Sequence, residues 1–373
     1  MSIKNDTIEP VVIIDWKDVA ASEASLQNDL LKAFGRDGTG IIAIRNVPGF
    51  VEAKRAFLPL AHTLATLPVD LLEATLTDPD SLYNAGWSHG KEKLGDQPDF
   101  AKGSFYFNPV TDLPGTEEDR IKYPLSYPKN VWPDIPEFKE RAMRIGCIMK
   151  DAVIALTRHL DTLAQSQKTA YPPSFLHNAM NGTEKVKARL LYYFPLESDQ
   201  PQQQKKDFWI GWHNDSGFLT ALAGDLYVNH ITGTVVECPD PHAGLYVATR
   251  RGTFRVEIPP DCMAVQMGEC TQIVSGGVFS ATPHCVRGIS SSKEQPIARV
   301  SLPCFVDTPP SFPLCVPRGC DLQEVMDATV PSDRVPPLEK RWTKDGMSFG
   351  DFLTKTFSLY YSWNQKDRGQ ADN

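Results

Sequence analysis

Three short stretches carry side chains whose types and spacing could do chemistry. Gly211-Trp212-His213-Asn214-Asp215-Ser216-Gly217 holds an imidazole and a carboxylate two residues apart. On a strand, residues i and i+2 share a face, so His213 and Asp215 could aim at one point. Such a triplet is common by chance, and alone it reads more plainly as a surface histidine beside a turn aspartate. Ala281-Thr282-Pro283-His284-Cys285-Val286 adds a second histidine in a strand-like segment. Two histidines and one carboxylate on one face of a metal ion leave positions open, an arrangement that suits oxygen-activating iron. Zinc can use the same ligands, and His284 alone reads as a satisfied core histidine. Ala298-Arg299-Val300-Ser301-Leu302 puts a guanidinium and a hydroxyl on one strand face. That pair suits a carboxylate, although Arg299 alone reads as a surface arginine on an edge strand.

Order and spacing decide between these readings. H-x-D, then a distant histidine, then R-x-S fifteen residues further on, resembles the Fe(II)/2-oxoglutarate-dependent oxygenases. Within them, the resemblance is to the branch that includes isopenicillin N synthase and the plant flavonoid oxygenases. Gly211–Ala221 is similar to the family's G-x-H-x-D-x-G-x-L-T segment, and Arg189-Leu190-Leu191-Tyr192-Tyr193-Phe194-Pro195 to its R-L-x-Y-Y-x-P strand. Pro10–Asp15 and Gly38–Asn46 resemble its N-terminal strand, helix and strand. Pro98–Pro109, with Lys102, Ser104, Phe105 and Asn108, resembles a segment that borders the substrate pocket. Leu191 departs from a frequent asparagine, Cys285 from the usual H-R-V, and Val228–His242 is longer than usual.

The resemblance implies a mainly β fold with flanking helices around a double-stranded β-helix (jelly-roll) core. It implies that His213, Asp215 and His284 bind Fe(II). Arg299, Ser301 and Tyr193 would then hold 2-oxoglutarate, and O2 would be the second cosubstrate. The family's chemistry couples oxidative decarboxylation of 2-oxoglutarate to hydrogen abstraction from a small-molecule metabolite, leading to hydroxylation, desaturation or oxidative ring closure. Some algal relatives close kainoid rings on amino-acid-like acids. Isopenicillin N synthase uses its R-x-S pair on its own substrate, so an iron oxidase without 2-oxoglutarate is the alternative, and a non-catalytic jelly-roll binding protein a third reading. Asn84, Trp87, His89, Lys91, Ser104 and Tyr106 are the expected substrate-facing residues. For the stretch from Asn84 through Lys93, a basic pocket mouth suited to a carboxylate-bearing substrate and a solvated loop are equally open. Arg250-Arg251 reads as a hairpin tip, His230 and His242 as non-ligands, and Phe352 and Phe357 as core or a lid.

Periodicity supplies the elements that must position these groups. Val11–Ile14 and Ile41–Ile44 are short apolar runs that read as buried strands. Leu26, Leu30, Leu31 and Phe34 form a helical face between them. Residues 51–75 have helical period, 107–135 read as a long loop, and a helix is expected from about Glu137 to Leu163. From Lys187 to Val306 the chain reads as short strands separated by turns: Arg189–Phe194, Phe218–Ala223, Gly244–Ala248, Phe254–Ile258, Met263–Gln266, Gln272–Val274, Val278–Thr282 and Arg299–Phe305. Gly276-Gly277 is a hairpin signal. Many short strands at this spacing suggest a sandwich or barrel. A helix is expected over Phe349–Trp363, followed by a polar, frayed tail. We expect one catalytic domain in three parts: a mixed N-terminal region over 1–186, a jelly-roll core over 187–310 and a helical segment over 311–373.

The composition fits such a protein. Of 373 residues, 41% are hydrophobic and 23% charged, and the net charge is −8. That charge disfavours a nucleic-acid partner. No apolar run approaches the roughly 20 residues of a membrane span. Eight scattered cysteines without a CxxC pair read as reduced thiols, so a cytoplasmic location is expected.

Overall fold

The computed structural model describes residues 7–22, 25–91, 93–94, 97–197, 208–291 and 295–369. Two sheets face each other. Among the described residues, the larger has nine strands. Along its main path run β2 (Val12–Asp15), β3 (Ile41–Arg45), β11 (Cys262–Met267), β8 (Leu219–Asn229), β13 (Ile297–Val306), β6 (Val186–Tyr193), β5 (Lys102–Phe107) and β4 (Gly86–His89). Val235–Val236 pairs off β8 as the ninth strand. The smaller sheet has five, in the order β1 (Ile8–Pro10), β10 (Gly252–Glu257), β9 (Gly244–Thr249), β12 (His284–Arg287) and β7 (Phe208–His213). This is the jelly-roll solution, in which each sheet covers the other's apolar face.

Strand alternation sorts the larger sheet. On β6, Val186, Ala188, Leu190 and Tyr192 point into the main core. Leu191 and Tyr193 point the other way, into a smaller cluster with Trp209, Tyr227, Val286 and Ile297 between the sheets. The main core is covered by the helix Phe138–Gln167, whose buried residues include Phe138, Ala142, Ile145, Met149, Val153, Leu156 and Leu160. Their i, i+3/i+4 spacing makes one apolar stripe. At 30 residues the helix is about 45 Å long, enough to back several strands at once. Among the described residues, no helix is long and apolar enough to cross a membrane. All eight cysteines are unpaired.

The structure departs from expectation between Glu269 and Thr282. The two expected strands and their hairpin are absent. Glu269–Val274 is a helix, and Val278–Thr282 is irregular. Gly276 and Gly277 end that helix with φ of 64° and 78°. The Gly276 N–H donates to Ile273 O and the Gly277 N–H to Gln272 O, both at 3.0 Å, the paired bonds of a Schellman cap. A segment as short as Gln272–Val274, with two apolar residues, cannot separate strand from buried helix by period alone. Leu31 is 44% exposed although Leu26, Leu30 and Phe34 are buried. The last helix runs Phe349–Gly369, beyond the expected end at Trp363.

Candidate active site

His213 closes β7 and His284 opens β12, and these two residues are partners across the small sheet. Pairing brings their ring centroids to 4.3 Å. Asp215 lies past the end of β7, so it reaches the same point from a turn and not by strand alternation. Its Oδ1 is 3.8 Å from His284 Nε2. One ligand atom from each of the three lies within 4.8 Å of the others. His213 Nδ1 is 2.8 Å from Gly211 O, and His284 Nδ1 is 3.1 Å from Thr282 O. A carbonyl only accepts, so both Nδ1 atoms carry the proton and both Nε2 lone pairs are left for a metal. Burial, helped by the His284 imidazole, holds the His213 imidazole down to about 4 against the opposing pull of Asp215. The ring is therefore neutral, as a ligand must be. Two imidazoles and one carboxylate fit a divalent iron with open positions.

The three groups open onto a cavity of about 780 Å³ between the sheets. On its far wall, Arg299 and Ser301 share the cavity face of β13, and Arg299 is the cross-strand partner of Tyr193. The guanidinium is 4% exposed and sits 4.9 Å from the centre of the Tyr193 ring, within cation–π range. Its Nη2 donates to Asp225, while Nε and Nη1 have no partner among the described residues. Burial pulls this arginine's pKa down, but Asp225 and the phenols of Tyr193 and Tyr227 raise it above the ordinary value overall. A buried cation with two N–H groups unpartnered among the described residues, on the same cavity as a hydroxyl and the His213–Asp215–His284 cluster, could accept a second carboxylate.

Comparison with known proteins bears on the fold. A 2OG-Fe(II) oxygenase family protein from Caulobacter crescentus matches with TM-score 0.65 at 18% identity, covering 95% of this chain and 100% of its own. The full-length Neurospora crassa T7H in complex with alpha-KG and 5-formyluracil gives 0.65 at 18%, over 95% and 97%. JOX2 in complex with 2OG, Fe and JA gives 0.61 at 19%, over 94% and 86%. The chain has the fold of the 2OG-Fe(II) oxygenases. Among curated proteins, jasmonate-induced oxygenase 4 of Arabidopsis thaliana is 27% identical over 184 residues. That stretch is 49% of this chain and 44% of the relative, so less than half of the relative's length is matched. No family model matches the sequence.

Within this oxygenase fold the expected substrate residues scatter. Trp87 is a correction: it is 2% exposed in the main core, because it pairs with Phe105 on the core side of the sheet. Asn84 is bonded to Lys187 and to Ser81 O, away from the cavity. His89 stacks on Phe194 at 4.7 Å, and Lys91 pairs with Glu73 at 2.8 Å. Neither lines the cavity. The Lys93 side chain lies outside the described residues. Ser104 and Tyr106 do not line the cavity; they lie one strand further along the large sheet, opposite the cavity-lining Leu191 and Arg189. The Ser104 hydroxyl accepts from Arg189 Nε and Nη2 at 3.0 and 2.8 Å. The Tyr106 ring lies 5.0 Å from the same guanidinium. Arg189 itself lines the cavity, and its charge is felt at His213. In the sequence, Arg189 stands in the R-L-x-Y-Y-x-P-like strand with no role attached. The signal was available, since Arg189, Leu191 and Tyr193 alternate on one strand face. No sequence pattern announces Asp225: an irregularity between Ala223 and Leu226 turns it toward Arg299.

Proposed function

We propose that this protein is an Fe(II)- and 2-oxoglutarate-dependent oxygenase of a small-molecule, carboxylate-bearing metabolite. The observation that carries the reading is one cavity holding both the His213–Asp215–His284 cluster and a buried Arg299 with two unpartnered N–H groups. His213, Asp215 and His284 would hold the metal. Arg299 and Ser301 would take the distal carboxylate of the cosubstrate, with the Tyr193 ring as platform. Bound together, Fe(II) and 2-oxoglutarate would supply the activation of O2 and the oxidising power to remove a substrate hydrogen. The chain supplies position and dryness: Leu191, Ile210, Leu222, Leu245 and Val286 line the cavity and keep water from competing. Arg189, braced by Ser104 and Tyr106, lines the same cavity and adds positive charge to it. Hydroxylation, desaturation and closure of a ring on an amino-acid-like acid, as in kainoid formation, all start from such a hydrogen removal.

The test is turnover. Protein loaded with Fe(II) is given O2, 2-oxoglutarate and a panel of small carboxylic acids, and succinate and O2 uptake are followed. Succinate formation that needs both iron and 2-oxoglutarate is expected. Absence of any 2-oxoglutarate consumption, coupled or uncoupled, would sink the reading and favour a binding protein. One observation favours an oxidase without 2-oxoglutarate: Asp225 already supplies Arg299 with a carboxylate. O2 uptake with substrate but without 2-oxoglutarate would identify that activity.

A further inference from the structure

One residue, Asn214, separates the ligands His213 and Asp215. Since β7 ends at His213, no sheet ladder fixes Asp215. Three hydrogen bonds hold the turn instead. The Glu269 N–H donates to Asp215 O at 2.8 Å. Asn214 Nδ2 donates to Glu269 Oε1 at 2.8 Å, and the Asn214 N–H donates to Tyr360 Oη at 3.1 Å. Glu269 is held in turn by Arg341. Both Arg341 Nη groups donate to its carboxylate, Nη2 at 2.6 Å, and Nη2 also donates to Pro336 O at 2.9 Å. The Arg341 guanidinium lies 5.7 and 5.8 Å from the Phe352 and Tyr360 rings.

The side chains of Glu269 and Arg341 are each 1% exposed. Burying such a pair costs several kcal/mol per ion, and well-packed apolar residues are often at least as stable in its place. Stability alone therefore gives little reason for it. Among the described residues, the side-chain pair is tied toward the cavity by the bond to Asn214, and Tyr360 grips the same residue from the last helix.

We propose that Tyr360 and the buried Glu269–Arg341 pair are positioning residues for the metal. They clamp the Asn214 turn, so the C-terminal helix sets the angle at which His213 and Asp215 meet the ion. The inference rests on the reading of His213, Asp215 and His284 as ligands. Groups that orient metal ligands typically govern affinity by 10- to 100-fold.

The experiment uses the full chain, metal-free, titrated with Co(II) alone, and reads three quantities: the dissociation constant, the Co(II) visible absorption bands and the rise in Tm on Co(II) binding. Tyr360→Phe removes one oxygen, and Asn214→Ala removes only the side-chain grip on Glu269. Each is expected to weaken Co(II) about tenfold or more, to move the visible bands and to shrink the Co(II)-induced rise in Tm. If wild type binds Co(II) and both variants match it in affinity and spectrum, the clamp is overturned and the metal site stands. A lower metal-free Tm with an unchanged Co(II) increment and spectrum reveals a merely structural role and overturns it equally. If wild type binds no Co(II), the ligand reading itself fails, and the clamp with it.

Discussion

Asp215 is the charged member of the triad, and its loss should be the most damaging single change. Asp215→Ala leaves two neutral imidazoles with no negative charge for a divalent ion. Stoichiometric Fe(II) should then be lost on gel filtration, read by metal analysis, and retention of one iron per chain would refute the assignment. Arg299→Ala should cost on the order of 3–5 kcal/mol of cosubstrate binding, as expected when a buried carboxylate loses its partner. That is roughly a hundred- to a few thousand-fold in 2-oxoglutarate affinity. Asp225 loses its partner in the same variant, so Arg299→Ala/Asp225→Asn is the proper control; 2-oxoglutarate affinity equal to wild type in either would discard Arg299. His213, Asp215, His284, Arg299 and Ser301 stood out in the sequence only as a set, through their combined order and spacing, and the structure brings all five to one cavity. Trp87 was misplaced because neighbouring residues on a strand face opposite sides, and the sequence does not say which parity faces the cavity. Asn84, His89 and Lys91 are near the right strands, but their hydrogen bonds and ion pairs lie elsewhere.

At the scale of elements, the segment between the two histidines shows what local pattern cannot decide. Gly276-Gly277 fits a hairpin or a helix stop equally well, and tertiary packing chose the stop. The helix Glu269–Val274 is six residues long and wholly buried, and its start holds the metal-side turn. The Glu269 N–H donates to Asp215 O, the Cys270 N–H to Gly217 O, and the Thr271 hydroxyl to Phe218 O. Its stop should therefore matter beyond its size. A Cβ at Gly277 would sit at φ +78° and 2.5 Å from Glu324 O. Gly277→Ala combines a left-handed backbone penalty with overpacking against a main-chain atom, and should destabilise by about 2 kcal/mol or more. A lowered urea midpoint with unchanged m-value would show it; a midpoint equal to wild type would mean that the cap adapts. Strands Arg189–Phe194, Gly244–Ala248 and Arg299–Phe305 were readable because each combines aromatic or β-branched residues with turn signals at its ends. The irregular path of β8 past Ala223 was not, since one extra residue changes face without changing composition.

For the whole molecule, the two sheets matter as opposing halves of a single site. His213 and His284 belong to the small sheet, whereas Arg299, Ser301 and Tyr193 belong to the large one. Between them lies the cavity of about 780 Å³. A metal alone ties together elements at one wall, and a dicarboxylate alone finds only the arginine on the other. A 2-oxoglutarate molecule that chelates the metal and reaches Arg299 would connect both sheets. Stabilisation by a ligand follows RT ln(1 + [L]/Kd), about 2.7 kcal/mol at a hundredfold excess over Kd. Tightened binding of the second ligand therefore appears as a further rise in Tm. Mn(II) alone should raise Tm, 2-oxoglutarate alone should raise it little, and the two together should exceed the sum of the separate shifts. In Arg299→Ala the Mn(II) shift should persist while the added increment from 2-oxoglutarate falls away. Strictly additive shifts in the wild type would mean that the two ligands do not meet in the cavity, and the bridge between the sheets would have to be abandoned even if each ligand bound.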